Sequence, residues 1–208
     1  MQKEIRVWDP LVRIFHWSLV LAFSIAYLSG DEENDLHIYA GYVVLGLLVF
    51  RVIWGVIGSR HARFSDFVYP PHQVIGYLKD FVWGRPRRYL GHNPAGGAMI
   101  IALLLSLIIV SYSGLKVYAI EEGEGLLALQ TTEVTFIKSA YADDDDEHEY
   151  EGHGDEEGEE FWEEIHEASA NFVLFLVLLH IAGVVISGRL HDENLIKAMI
   201  TGTKKANE

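Results

Sequence analysis

Four stretches of this chain are long and apolar enough to cross a lipid bilayer, and no other feature limits the fold as strongly. A span needs about 20 largely apolar residues at about 1.5 Å of rise each. Residues 11–29, 37–57, 97–118 and 168–187 meet that length. The last two are the clearest, since MIIALLLSLIIVSYSGLKVY and FVLFLVLLHIAGVVIS carry almost no charge. The first follows Lys3, Arg6 and Arg13 and resembles a signal peptide. No small-x-small cleavage site follows Tyr27-Leu28-Ser29-Gly30, however, and His16 interrupts its core, so it reads as a retained helix. The expected class is an all-α membrane protein with four transmembrane helices over one domain, residues 1–208.

Charge supplies the orientation. The 208 residues carry a formal −14, but residues 119–164 hold 18 of the 30 acids and one of the 16 bases. The rest of the chain is mildly basic, at net +3. Lys and Arg concentrate at the N-terminus (Lys3, Arg6, Arg13), in the 58–96 connection (Arg60, Arg63, Lys79, Arg85, Arg87, Arg88) and in the tail (Arg189, Lys197, Lys204, Lys205). Those three segments belong on the cytoplasmic side. The acidic turn after the first span and the 119–164 insert belong outside. The expectation is a multi-pass protein of a bacterial inner (cytoplasmic) membrane with both termini cytoplasmic.

The two long connections differ in kind. Residues 58–96 contain Pro70-Pro71 and an aromatic-basic stretch, YLKDFVWGRPRRY, from Tyr77 to Tyr89. An amphipathic helix at the inner surface is predicted there, with basic side chains toward lipid headgroups. Residues 143–160, DDDDEHEYEGHGDEEGEE, offer too little apolar area to offset chain entropy, so a disordered acidic outer loop is predicted.

Four histidines stand in or at the ends of the spans: His16, His37, His166 and His180. An ionisable side chain inside a membrane is costly and is a functional candidate by default. His166 and His180 are 14 residues apart, an advance within about 40° of whole turns and about 21 Å along the axis, so they share one helix face. His180 lies at the depth of His16 near the cytoplasmic side, and His166 at the depth of His37 near the outer side. Two facing imidazoles from different helices are what a six-coordinate b-type haem requires. The pattern therefore predicts two b haems, held by His16 with His180 and by His37 with His166, in a four-transmembrane-helix haem-binding bundle. A chain without cysteine has no thiolate site or c-type haem attachment motif. Zinc would need further ligands, and the inner neighbours are Phe15, Trp17, Leu179 and Ile181. A proton relay would need acids within the apolar cores, and interhelical hydrogen bonding is the plain alternative. Gly41, Gly46, Gly55 and Gly183 suit close backbone approach or a flat ring, and equally plain helix packing. Arg13, one turn before His16, and Arg51, near the inner end of the second span, could each pair with haem propionates or reach headgroups.

WDPLVRIFHW, LHIYAGYVVLGLLVFRVIWGVIG, RHARFSDF, YLGHNPAGGAM, HEASANFVLFLVLLHIAG and HDENLIKAMITGTKK together resemble bacterial di-haem b-type cytochromes. This is the cytochrome b561-type group that includes the membrane cytochrome b subunit of nickel–iron hydrogenases. The resemblance covers nearly the whole chain apart from the acidic insert. It implies a four-helix bundle with two b haems between a quinone/quinol pool and a partner redox protein. It places the haem ligands on the same four histidines. With about twenty residues after the fourth span, the chain is similar to the shorter members linked to c-type cytochromes or to quinone-coupled superoxide oxidation.

The leading expectation is a redox carrier serving quinone and a periplasmic c-type cytochrome or other basic redox protein, which the acidic insert would steer. A quinone-linked superoxide oxidase is the enzymatic alternative, although Lys116 and Lys138 are the only outer bases among many acids. A membrane metal-binding or scaffold protein, using His148 and His153 among carboxylates, is the non-redox one. His92, in GHNPAGG, could bond a quinone carbonyl, cap the third span or shape the loop before it. No nucleotide loop, nucleophile motif or nucleic-acid signature is present.

Overall fold

The computed structural model describes residues 4–30, 35–128 and 153–205. It resolves into two compact units, Met1–Leu105 with Val173–Glu208, and Ser106–Phe172. Among the described residues, four helices are long and apolar enough to cross a membrane.

In the first unit, α1 (Pro10–Leu28) begins where sequence chemistry places it. Asp9 is extended, its carboxylate accepts from the Val12 N–H at 2.9 Å, and Pro10 supplies the helical φ at the first position. The helix ends at Ser29, whose N–H and hydroxyl both return to the Ile25 carbonyl. α2 (Asp35–Ile57) packs against α1, with Phe15 and Phe50 rings 6.1 Å apart. A short 3-10 turn (Arg60–Ala62) and α3 (Phe64–Phe67) then fold the connection back on α2. α4 (Pro71–Val82) follows, and α5 (Pro94–Glu121), α6 (His153–Leu190) and α7 (Leu195–Thr201) complete the helices. β1 (Glu4–Arg6) and β2 (Thr203–Lys205) pair antiparallel, with Ile5 opposite Lys204.

The two ends of the chain meet in a small core of Val7, Trp8 and Ala198 with Ile5 and Met199. Glu193 accepts from Arg88 and pairs with Lys204 at 3.4 Å, while Arg88 also donates to the Lys205 carbonyl at 2.7 Å. Burial pushes the Lys204 ammonium down despite that partner. The 58–96 connection is thereby tied to the tail.

Arg51 is 3% exposed. Its Nη1 donates to the Ala62 carbonyl at 2.9 Å, and the guanidinium lies 5.1, 5.6 and 6.0 Å from the ring centres of Phe64, Phe67 and Phe15. A buried cation needs such partners, because an unpaired one would be expelled or neutralised. Gly55 makes the arrangement possible: a Cβ there would lie 2.1 Å from Phe64 Cε2, so only glycine lets that ring lie flat on α2.

Along the spans, Ile14, Leu21, Leu28, Val56, Ile57, Leu105 and Leu178 stand exposed. Apolar surface of that extent is what lipid tails cover. The helices start and stop near the expected limits at the first three spans, but α6 begins 15 residues before residue 168. Of the stretch expected to be disordered, residues 153–160 are helical, while 143–152 lie outside the described residues. Glutamate is a strong helix former, and extending an existing span requires no new nucleus. The inner amphipathic helix also departs from its predicted place. It ends at Val82, and the basic run Arg85, Arg87, Arg88 follows it without helical structure. Pro70 and Pro71 set the helix start, and Gly84 (φ 68°) and Pro86 interrupt any continuation. An added Cβ at Gly41, Gly46 or Gly183 meets nothing within 4 Å, so these glycines do not serve close packing against protein.

Asp9 links three elements, since Ser59 and Trp54 also donate to Oδ2. Burial alone would raise its carboxyl, but donors from Ser59, Val12, Trp54 and Leu11 hold it below the usual carboxylate range. Its stabilising contribution is therefore present above about pH 4 and is lost as the pH falls further. Asp9→Ala is expected to lower stability by about 2 kcal/mol at neutral pH, and Asp9→Asn to recover about half by keeping the cap. Thermal denaturation in detergent measures both, and an unchanged midpoint for Asp9→Ala would refute the assignment.

Candidate cofactor site

α6 carries His166 and His180 on one continuous helix, as their spacing predicts. His180 belongs to the first unit and His166 to the second, so each is described within its own unit.

In the first unit, His16 of α1 and His180 lie within electrostatic reach of one another, and both rings are half-buried. The Nδ1 of His16 is sealed from solvent with no hydrogen-bond partner. Among the described residues, the one trio of carboxylate or imidazole groups close enough to share an ion is Glu121, Glu159 and Glu163, in the second unit. No third ligand joins His16 and His180 there. Such a pair is poor in ligands for zinc and sufficient for the two axial positions of a haem.

At the other end of the first unit, His37 stands in the first turn of α2. Its Nδ1 donates to the Ala26 carbonyl at 2.9 Å, one of the last carbonyls of α1, which have no partner within their own helix. A carbonyl only accepts, so Nδ1 carries a proton, and a haem-binding ring would have to use Nε2.

The second unit repeats this device. His166 Nδ1 lies 3.0 Å from the Val110 carbonyl and 3.2 Å from Ser113 Oγ, which itself donates to the same carbonyl at 3.1 Å. Again the proton is fixed on Nδ1. Gly114 supplies the room, because a Cβ there would lie 2.8 Å from His166 Cε1. Tyr112 and Trp162 meet edge to face at 5.6 Å. Histidines that bind iron commonly donate their second nitrogen to a carbonyl, which sets the tautomer and the ring orientation.

The two arginines differ. Arg13 Nη1 donates to the Ile200 carbonyl, and its buried Nε has no partner. Arg51 is committed to the Ala62 carbonyl and its aromatic cage. His92, on the connection before α5, was expected to cap that helix or bond a ligand. Asn93 does the capping, its Oδ1 accepting from Gly96 N–H at 2.7 Å. The His92 ring instead packs on Trp8 and Phe67 at 4.5 and 4.8 Å, and its Nδ1 is buried without a partner. Its pKa is pushed down to about 3 by burial first, then by Arg51, Lys204, His61 and His180. The metal-binding alternative on the insert rests on His148 and His153. The first lies outside the described residues, and so does the side chain of the second.

Sequence reasoning passed over Gly114, Ser113 and Ala26. The pair Ser113-Gly114 in an otherwise bulky apolar run was the available signal for the first two. Nothing in the sequence marks a backbone carbonyl as a partner.

Comparison with known proteins places this arrangement. The sequence profile described as prokaryotic cytochrome b561 matches residues 7–202, which include all four histidines. A probable Ni/Fe-hydrogenase B-type cytochrome subunit of Rhizobium leguminosarum bv. viciae is 24% identical over 237 aligned residues, covering 98% of this chain and 90% of that protein. The probable Ni/Fe-hydrogenase B-type cytochrome subunit of Azotobacter chroococcum mcd 1 is 28% identical over 155 residues, 60% of this chain and 63% of the relative. The probable Ni/Fe-hydrogenase 1 B-type cytochrome subunit of Escherichia coli K12 is 25% identical over 143 residues, 54% and 60%. No solved structure matches the chain. Four histidines on helices of membrane-spanning length, two with the proton fixed on Nδ1 and one with a sealed, unpartnered Nδ1, fit the b-type haem that such cytochromes carry. The chain belongs to the prokaryotic cytochrome b561 family and is a multi-pass membrane protein of electron transport.

Proposed function

We propose that this protein passes electrons across the inner membrane between the quinone/quinol pool and a redox partner at the outer face. His16 and His180 would hold one b-type haem near the cytoplasmic side, and His37 and His166 a second near the outer side. When bound, each haem supplies a one-electron Fe(III)/Fe(II) couple. Held by two histidines, each iron would have no position left for a substrate, which would suit electron transfer over substrate binding at the metal.

The observation that carries this reading is the hydrogen bonding of His37 and His166. Each ring donates Nδ1–H to a helix carbonyl, at 2.9 and 3.0 Å, which orients the ring and would make Nε2 the atom that meets the iron. Rigid mounting keeps a ligand in one geometry whatever the charge beside it. Arg13 contributes a buried Nε–H aimed at no protein acceptor, suited to a propionate. The names of the relatives suggest a nickel–iron hydrogenase as one fitting redox partner. The net −17 of residues 119–164 would favour a partner with a basic docking face, a c-type cytochrome being the other fitting class.

Purified protein is expected to give a low-spin b-type spectrum with about two haems per chain by pyridine haemochrome. A colourless protein expressed with ample haem would overturn the reading. His16→Ala and His180→Ala should each remove the same haem and leave the other spectrum intact, whereas loss of different haems would break the pairing. Gly114→Ala is expected to push the His166 ring off the Val110 carbonyl. It should perturb or remove one haem only, the one that survives in His16→Ala.

A further inference from the structure

The inner end of the first unit contains a second unpartnered imidazole that the axial sites do not use. His92 is held from two sides, by Trp8 at 4.5 Å and Phe67 at 4.8 Å, while Tyr69 Oη donates to its backbone carbonyl at 3.3 Å. The ring therefore has little freedom, and its Nδ1 ends inside the protein with nothing to bond. A buried polar atom without a partner is rare and asks for one. Three of the buried side-chain polar atoms left unpartnered among the described residues belong to this end: Arg13 Nε, His16 Nδ1 and His92 Nδ1. Trp8 stands between the first and the last. Its ring carries His92, and its carbonyl lies 2.7 Å from where a Cβ of Gly202 would sit, a point 3.3 Å from Arg13 Nε.

The missing group must be a hydrogen-bond acceptor, since Arg13 Nε can only donate. Two sources have that chemistry, a haem propionate and a quinone carbonyl. The surroundings favour the anion. Arg51 and Lys204 lie within electrostatic reach of the buried His92 ring, and these two cations would stabilise a negative charge beside it. We propose that His92 donates its Nδ1–H to a propionate of the haem held by His16 and His180, with Arg13 Nε–H as the companion donor. The proposal rests on the haem assignment given above and adds a residue that sets how the inner haem is seated and how strongly it holds its electron. A hydrogen bond to the propionate draws negative charge away from the iron, so it favours the ferrous state.

The test uses the full-length holoprotein in detergent. His92→Phe keeps a ring between Trp8 and Phe67 and removes the donor, while His92→Gln keeps an amide donor. In a redox titration, His92→Phe is expected to shift the inner haem about tenfold toward the ferric state, about 59 mV lower for one electron. The other haem should be unmoved, and His92→Gln should recover at least half the shift. An unchanged inner potential with two haems per chain overturns the proposal while leaving the haem assignment standing. If a raised KM for quinol accompanies that unchanged potential, the acceptor is the quinone and the propionate assignment is equally overturned. Failure of the underlying assignment has a different signature, wild-type protein without the His16-dependent haem. Should His92→Phe not accumulate, redox-difference infrared spectra of wild-type protein carrying haem labelled with 13C at the propionate carboxyls decide the matter. A propionate band that moves on 15N-histidine labelling supports the bond, and a band that does not move refutes it.

Discussion

A full positive charge sits inside the second span, and much of the first unit is arranged around satisfying it. Arg51 could reach the headgroup region only if its side chain were free to extend. Instead Phe15 from α1 and Phe64 and Phe67 from the following connection enclose it, and Ala62 offers a carbonyl. The charge thus adds to the Asp9 contacts in holding α1, α2 and the following connection together. Removing any one would leave the cation partly desolvated without compensation, and this makes the cluster cooperative. His16 stands one residue beyond Phe15, so the clamp that fixes α1 against α2 also fixes the height and rotation of that histidine.

The same logic of shared partners runs through Asp9 and Glu193. Asp9 is at once a helix cap and the acceptor for Ser59 and Trp54. Glu193 gathers Arg88 from the connection and Lys204 from the tail. Both networks lie on the face where the two ends of the chain pair as β1 and β2. An even number of spans returns the chain to its starting side, and the strand pair records that return in backbone hydrogen bonds. Of the bases between Tyr77 and Tyr89 that suggested a headgroup-facing surface, Arg88 is consumed internally, while Lys79, Arg85 and Arg87 remain exposed.

Much was legible in advance, for a physical reason. Bilayer thickness imposes a fixed length on apolar runs, and a helix converts sequence spacing into angle, so the four spans and the shared face of His166 and His180 follow from counting. The tautomers of His37 and His166 did not follow, because their partners are the main-chain carbonyls of Ala26 and Val110, and any residue type presents those. Gly55 illustrates an ambiguous signal, since a glycine beside lipid, haem or an aromatic ring reads the same until Phe64 is seen on it. The capping role open to His92 fell away for a similar reason. Next to a helix start, a polar residue suggests capping, but Asn93 is the better acceptor and releases the imidazole for other use. The early start of α6 escaped because composition argues about burial, whereas helix propagation from an anchored span is decided residue by residue.

α6 runs for 38 residues, about 57 Å at 1.5 Å per residue, against a hydrocarbon core of about 30 Å. Its N-terminal portion therefore continues well past the lipid as a stiff rod, with His166 mounted partway along it. A flexible tether would let a docking protein wander, whereas a rod sets a fixed stand-off and a fixed azimuth. Each residue added or lost between its acidic start and His166 would turn one relative to the other by about 100°. The acidic end and the histidine thus share a mechanical register, and the helix acts as a ruler between the surface a partner would touch and the imidazole beneath it.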